Sequence, residues 1–317
     1  MRRTIAVFPG QGAQAVGMGR SLNEGYEAAR RVFEAVDDAL GESLSRLMFE
    51  GPADDLMLTA NAQPALMACA LAAVRAVEAE AGVALPEVTE WAAGHSLGEY
   101  AALTAMNALD LADAARLLRL RGEAMQAAVP VGEGAMAAVL GGEAETIEAV
   151  AAEASTPNAP CEVANDNGEG QMVLSGARDA VERAMALLKA KGLKRVILLP
   201  VSAPFHSSLM APAAERLGEA LATVRILRPK RPIVANVTAA PEDDPETLRR
   251  LLQEQVCARV RWRESMVRMK ALGVERLIEF GHGRVLTGLA KRALPGAGLV
   301  NVQTADDVKA LAGALAA

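Results

Sequence analysis

The chain has 317 residues, 51% hydrophobic but only 3% aromatic, so alanine, leucine and valine have to build its core, which suits helices packed on a parallel sheet. Its net charge of −6, without a basic stripe or charge run, argues against nucleic acid and anionic membrane surfaces as partners. Three scattered cysteines (Cys69, Cys161, Cys257) with no CxxC pair, and three scattered histidines (His95, His206, His282), give no readable disulfide framework or metal site. The apolar run after the two N-terminal arginines is too short for a signal peptide, and no segment is expected to reach transmembrane length, so a cytoplasmic protein is expected.

In chain order, "TIAVF" reads as a short buried strand, Thr4 to Phe8, that runs into the glycine turn "PGQG". "SLNEGYEAARRVFEAVDDAL" carries helical periodicity, and "NAQPALMACALAAVRAVEAEAGV" reads as a strongly apolar helix opened by Pro64. "TEWAAGHS" is a strand reaching a serine turn, "LGEYAALTAM" continues as helix, and "LADAARLLRLRGEAMQAAV" is an amphipathic helix ended by Pro130. Between about Gly134 and Pro200 the rhythm changes to strand, helix, two strands around a polar turn ("CEVANDNGEGQMVLSG"), helix and strand. That β-α-β-β-α-β order is the ferredoxin-like signature, here set inside a larger α/β domain. "RPIVANV" and "VERLIEFG" supply later strands, and the alanine-rich tail from Asp306 a terminal helix. The expected division is a catalytic domain of residues 1–130 and 201–317, interrupted by a subdomain of residues 131–200.

Gly94-His95-Ser96-Leu97-Gly98 fits G-x-S-x-G, a strand-to-helix turn so sharp that its flanks need minimal side chains and its serine projects at a helix N-terminus. There the Leu97 N–H is the natural donor to an oxyanion. The same serine also reads as a plain helix cap, with Glu99 completing an S-x-x-E box. As a nucleophile it needs a base. His95 is adjacent, but successive side chains diverge at a tight elbow, so it packs or orients the turn. His282, in the glycine loop "EFGHGRVL", and His206, in "LPVSAPFHSSLM", are both open as the base; nucleophile before histidine is the chain order of α/β-hydrolases. The first turn has Gly10-x-Gly12-x-x-Ala15 after a strand, but helix follows where a dinucleotide site requires a second strand with an acidic end, so that reading fails. A second oxyanion donor, with Gln11 at its apex, suits this loop better.

Together "FPGQGAQAVGMG", "NAQPALMA", "GHSLGEY", "LRGEAMQ", "GAMAAVLG", "VSAPFHSSLM", "VRW" and "GHGRVLTGL", collinear over nearly the whole chain, resemble the malonyl-CoA:acyl carrier protein transacylase family. The resemblance implies an α/β-hydrolase-like domain with a parallel sheet plus an inserted ferredoxin-like α+β subdomain. It implies Ser96 as the acylated serine, His206 as its base, and Gln11 and Leu97 as the oxyanion hole. The third member would be a backbone carbonyl at Gln255, and Arg121 would pair with the malonyl carboxylate. Gln63, Asn167 and Gln171 match polar positions around the pocket. Leu97 and Phe205, just after the serine and just before the histidine, look like the malonyl rather than the methylmalonyl type. The sequence departs from the family at Gly281-His282-Gly283, where proline more often stands between the glycines, which bears on the local loop shape.

The implied activity is ping-pong transfer of malonyl from malonyl-CoA to the phosphopantetheine thiol of acyl carrier protein, through a malonyl-serine ester, for fatty acid synthesis. No cofactor and no metal are implied, and a stand-alone monomer is expected. An acidic carrier implies a basic rim despite the net charge; Lys189, Lys191, Lys194 and Arg195 in the insert, and Arg284, Lys291 and Arg292 near the C-terminal strand, are the candidates. Two rivals stand beside this reading. A serine hydrolase would want a carboxylate behind the histidine and no buried arginine, and a scaffold would use Ser96 only as a cap.

Overall fold

Every residue of "TIAVF" is buried, as suits a parallel strand covered on both faces, and this segment, β1 (Thr4–Phe8), lies in the middle of the larger sheet. The structure is a computed structural model and describes residues 2–168, 170–201 and 203–316. In chain order the other strands are β2 (Trp91–Gly94), β3 (Gly134–Leu140), β4 (Cys161–Asp166), β5 (Gln171–Ala177), β6 (Arg195–Leu198), β7 (Ile233–Val234), β8 (Pro241–Glu242), β9 (Arg276–Phe280) and β10 (Gly298–Val302). The larger sheet has the order β10-β9-β1-β2-β7-β8 and is parallel except for β8, which turns back against β7. The β-α-β-β-α-β stretch makes its own antiparallel sheet, β4-β5-β3-β6. Helices Ala144–Ala154 and Arg178–Ala190 pack on that sheet around a separate core that includes Ile147, Leu174, Val181 and Leu188. The fold is an α/β-hydrolase-like domain carrying a ferredoxin-like α+β subdomain.

Several elements differ from the reading of the sequence. The apolar helix runs Thr59–Ala81, so Pro64 lies inside it rather than opening it. The extra turn is supported from outside: the Ala60 N–H, which has no partner within the first turn, donates to Gln126 Oε1 at 3.0 Å. This 23-residue helix is also long and apolar enough to cross a membrane, which corrects the expectation that no segment reaches that length. Residues such as Leu66, Met67, Leu71 and Val74 lie in the main core, so its apolar length is used for packing within the fold. The first helical stretch is split at Tyr26, whose backbone is extended, into Arg20–Gly25 and Glu27–Leu40. Strands β8 and β10 carried no expectation; β8 is two residues long, and β10 ("GLVNV") is only half-buried along most of its length.

The register of the sheet sets the place for a site. Phe8 is opposite Gly94, so β1 and β2 end together, and the His95 N–H donates to the Phe8 carbonyl at 3.0 Å as both chains leave the sheet. From β1 the chain runs to β2 and β7 on one side and later returns to β9 and β10 on the other, which makes these strand ends the usual crevice for a ligand in an open parallel sheet. The insert is tied to the same region by a parallel bridge between Asn165 of β4 and Val260.

Candidate active site

Packing around the serine turn requires the two glycines of G-x-S-x-G. A Cβ on Gly94 would lie 1.9 Å from the Gly98 carbonyl carbon, and one on Gly98 would lie 2.3 Å from the Phe8 carbonyl oxygen. Gly10 on the neighbouring turn is equally confined, by the His95 carbonyl at 2.8 Å. Ser96 itself sits at φ 53°, in the left-handed region that a non-glycine residue adopts at a cost, and His206 does the same at φ 56°. The cap alternative is not what forms. The helix Gly98–Ala105 begins after Leu97 without a side-chain cap, and the Ser96 hydroxyl donates instead to His206 Nε2 at 2.7 Å.

His206 is oriented by backbone. Its Nδ1–H donates to the carbonyls of Gln255 (2.8 Å) and Ala258 (3.1 Å), which leaves Nε2 unprotonated and facing the serine. Burial, and next the charge of Arg121, pushes its pKa down to about 3, so the ring is neutral across the physiological range. His282 is half-buried in its glycine loop and is not bonded to Ser96. His95 packs its ring 5.5 Å from that of Trp262 and bonds Asn167 Oδ1 through Nε2 at 2.8 Å, so it braces the elbow against the insert.

Arg121 comes from the helix Leu111–Ala127, which approaches the helix Thr59–Ala81 closely because Gly122 allows it; a Cβ there would be 2.6 Å from Ala60 Cα. The side chain is 2% exposed. Its Nη1 donates to Gln63 Oε1 (2.7 Å), and its Nη2 to Ser96 Oγ (3.1 Å) and Gln255 Oε1 (3.0 Å). Buried Nε has no partner among the described residues, and the guanidinium lies 6.0 Å from the centre of the Tyr100 ring. Burial holds its pKa below the ordinary arginine value. This is a cation held beside a nucleophile with donor capacity to spare.

Among the described residues, the backbone N–H groups of Gln11 and Leu97 have no acceptor within the chain. The Gln11 side chain is tethered to Thr59 Oγ1 at 3.2 Å, which fixes the loop beside the elbow. Phe205 is buried next to His206. Asn167 is on His95 rather than on Ser96. Gln171 lines a separate cleft of about 540 Å³ with Gly141, Arg195, Val285, Lys291 and Arg292. Ser96, His206, Arg121, Gln63 and Gln255 thus converge, while Asn167 and Gln171 lie at one remove.

Two residues of this cluster were not singled out. Asn236 accepts from the Ser96 N–H at 2.7 Å through Oδ1, donates from Nδ2 to the Gly94 carbonyl at 2.6 Å, and holds the elbow from the end of β7. Glu99, read only as a possible cap partner, is fully buried and accepts from the Asn236 N–H and from Gln255 Nε2. A polar residue at the carboxyl end of a parallel strand was the available signal for Asn236; nothing local in the sequence separates Glu99 from a capping glutamate.

A serine activated by a neutral histidine, with free amides at the neighbouring turn, is the arrangement of an acyl-transfer enzyme, and residues 5–304 match the acyl transferase domain. Relatives narrow the class. A malonyl CoA-acyl carrier protein transacylase of Bacillus subtilis is 45% identical over 292 residues, covering 92% of this chain and 90% of that one. The crystal structure of the acyl-carrier-protein-S-malonyltransferase of Bartonella henselae is 50% identical, with a TM-score of 0.96 over 99% of this chain and 100% of that one. A malonyl-transacylase solved with its type II PKS acyl-carrier protein is 38% identical, with a TM-score of 0.91, covering 96% and 97%. The chain belongs to the malonyl CoA-acyl carrier protein transacylase family.

Proposed function

We propose that the protein transfers malonyl from malonyl-CoA to the phosphopantetheine thiol of acyl carrier protein through an ester on Ser96, supplying fatty acid synthesis. The observation that carries this reading is the convergence on one hydroxyl of a neutral base and a buried guanidinium, at 2.7 and 3.1 Å. His206 Nε2 takes the Ser96 proton as Oγ attacks the thioester carbonyl, and the oxyanion is received by the Gln11 and Leu97 N–H groups. The imidazolium, held by the Gln255 and Ala258 carbonyls, returns the proton to the departing coenzyme A sulfur. The carrier thiol then attacks the serine ester, giving its proton to His206, and the steps run in reverse. Arg121 selects the acyl group, because a malonyl carboxylate buried here needs a charged partner and the guanidinium offers two parallel donors.

The carrier is assigned to the cleft lined by Gln171, Arg195, Lys291 and Arg292, whose cationic side chains suit an acidic protein. Residues 131–200 are taken as the insert, since β3 to β6 all fall within them. A working monomer in the reducing cytoplasm is part of this reading, and the three free thiols suit that compartment. Intact mass tests the core of the proposal. Malonyl-CoA is expected to add one malonyl to the protein and holo-carrier to remove it; a protein that gains no mass, or whose adduct the carrier cannot remove, refutes it.

A further inference from the structure

Glu99 lies in the first turn of the helix behind the nucleophile and is 1% exposed. Its Oε2 accepts from the Asn236 N–H at 3.0 Å and from Gln255 Nε2 at 2.9 Å, while Oε1 is buried without a partner among the described residues. The Gln255 amide therefore stands between two charges, accepting from Arg121 Nη2 at 3.0 Å through its oxygen and donating to Glu99 through its nitrogen. Among the described residues, Arg121 gives its own hydrogen bonds only to the uncharged groups of Gln63, Ser96 and Gln255. The ionisable groups around Glu99 are Arg121, Tyr100 beside it on its own helix, and His206 on the far side of Gln255.

We propose that Glu99 is the resident counter-charge of Arg121, coupled to it through the Gln255 amide, and that it takes up one proton when a malonyl carboxylate pairs with Arg121. This rests on the reading of Arg121 as the carboxylate's partner. In the free enzyme the buried guanidinium and carboxylate polarise the same amide in the same sense, which offsets part of the desolvation of each. A malonyl carboxylate makes two negative charges around one positive, and like charges this close in a buried site do not both stay ionised. Glu99 is placed to yield. Burial already pushes its carboxyl up to about 7, and a proton on Oε1 leaves both hydrogen bonds accepted by Oε2 intact. The proton comes from solvent and returns to it when the malonyl group departs on the thiol. An uncharged acyl group leaves Glu99 as it is, so Glu99 helps to set the discrimination between acyl groups without touching them.

The sign follows from linkage. Because the bound state holds the proton more tightly, malonyl affinity falls as pH rises above the carboxyl's free-state value, by up to about tenfold per pH unit. The test uses the Ser96→Ala enzyme, which binds thioesters without being acylated, titrated by calorimetry at pH about 7.5 in two buffers of different ionisation enthalpy. Malonyl-CoA is expected to take up roughly half a proton or more beyond acetyl-CoA, the coenzyme A contribution cancelling between them. Adding Glu99→Gln, which keeps an oxygen for both donors but carries no charge, is expected to abolish that difference. Equal uptake from the two thioesters overturns the proposal, and so does a difference that survives Glu99→Gln, which puts the proton on His206. Where that variant does not fold, difference infrared of Ser96→Ala with carbon-13-carboxyl malonyl-CoA against acetyl-CoA is expected to show the C=O stretch of a newly protonated carboxyl at its unlabelled position; its absence overturns the proposal. The underlying reading fails separately, if Arg121→Ala leaves the affinity of Ser96→Ala for malonyl-CoA unchanged.

Discussion

The elbow and the cleft beside the insert belong to one proposed substrate path, yet they are built on opposite principles. At the elbow Ser96, His206, Arg121 and Gln255 meet at 2.7 to 3.1 Å, and His206, Arg121 and Gln255 are buried. Glycines that admit no side chain hold the turn, and backbone carbonyls hold the base. The cleft gathers Arg195 from β6 and Lys291 from the helix Val285–Ala293, both exposed, on elements far apart in the chain. Buried geometry makes function steep, since one missing atom leaves others unsatisfied. Exposed charge makes it graded, because solvent and salt share the work.

The steepest consequence is at the nucleophile. Ser96→Ala is expected to abolish the malonyl adduct in intact mass, and retained labelling would move the nucleophile elsewhere. His206→Ala is expected to slow acylation by several orders of magnitude, because base and nucleophile act as a unit. His282→Ala, in the same assay, is expected to change it little; the reverse ranking would break the contrast at its centre.

Arg121 tests whether burial or mere presence of charge matters. Arg121→Ala is expected to cut kcat/KM for malonyl-CoA by roughly two to four orders of magnitude, the scale of an unpaired buried charge at about 3–5 kcal/mol. Acetyl-CoA is expected to lose little or to gain. Arg121→Lys recovers part of the malonyl activity, since an ammonium cannot reproduce the planar pair of donors. Equal losses on both thioesters would make Arg121 structural.

What was legible in the sequence follows the same division. The elbow declared itself because its chemistry is local: two glycines, a serine and a strand-to-helix change within five residues. The insert declared itself by rhythm, one strand or helix after another without interruption. Choosing among the histidines was not local, since the carbonyls that orient His206 come from residues about 50 positions away, and only the family resemblance bridged that distance. Asn236 and Glu99 escaped for the same reason. Their partners, Ser96 and Gln255, are 140 and 156 residues distant, and a buried glutamate next to a helix start looks like a cap until the fold is known. Pro64 misled because a proline near a helix start ordinarily marks the first turn, and here a glutamine from the helix Leu111–Ala127 supports an earlier one.

Acidity gives a gentler test. Folded His206 titrates near pH 3 against an ordinary 6.5, so the unfolded chain binds more protons between those values. This group therefore lowers stability as pH falls through that window and adds no pH dependence above it. Acylation at saturating malonyl-CoA, followed in a single turnover, is expected to show no half-titration near 6.5 while the protein stays folded. A break at 6.5 would mean that water reaches the base.

The smallest expected effects belong to the cleft, and they sharpen the comparison most because they separate the two half-reactions. Arg195→Glu and Lys291→Glu each reverse an exposed charge outside the hydrogen-bonded cluster at Ser96, so the serine chemistry is left in place. If an acidic carrier docks there, each reversal is expected to raise KM for the carrier several-fold, the scale of about 1 kcal/mol for one exposed ion pair. The penalty is expected to shrink as salt is raised from low ionic strength to about 0.5 M, where the Debye length falls to a few ångströms. The rate of acylation by saturating malonyl-CoA is expected to stay the same, because the coenzyme A half-reaction ends before the carrier arrives. The measurement is transfer kinetics with carrier varied at two salt concentrations, beside single-turnover acylation on the same proteins. Losses that ignore salt, or that fall equally on acylation, would mean that these residues support the fold or hold coenzyme A, and that the carrier is recognised on another face.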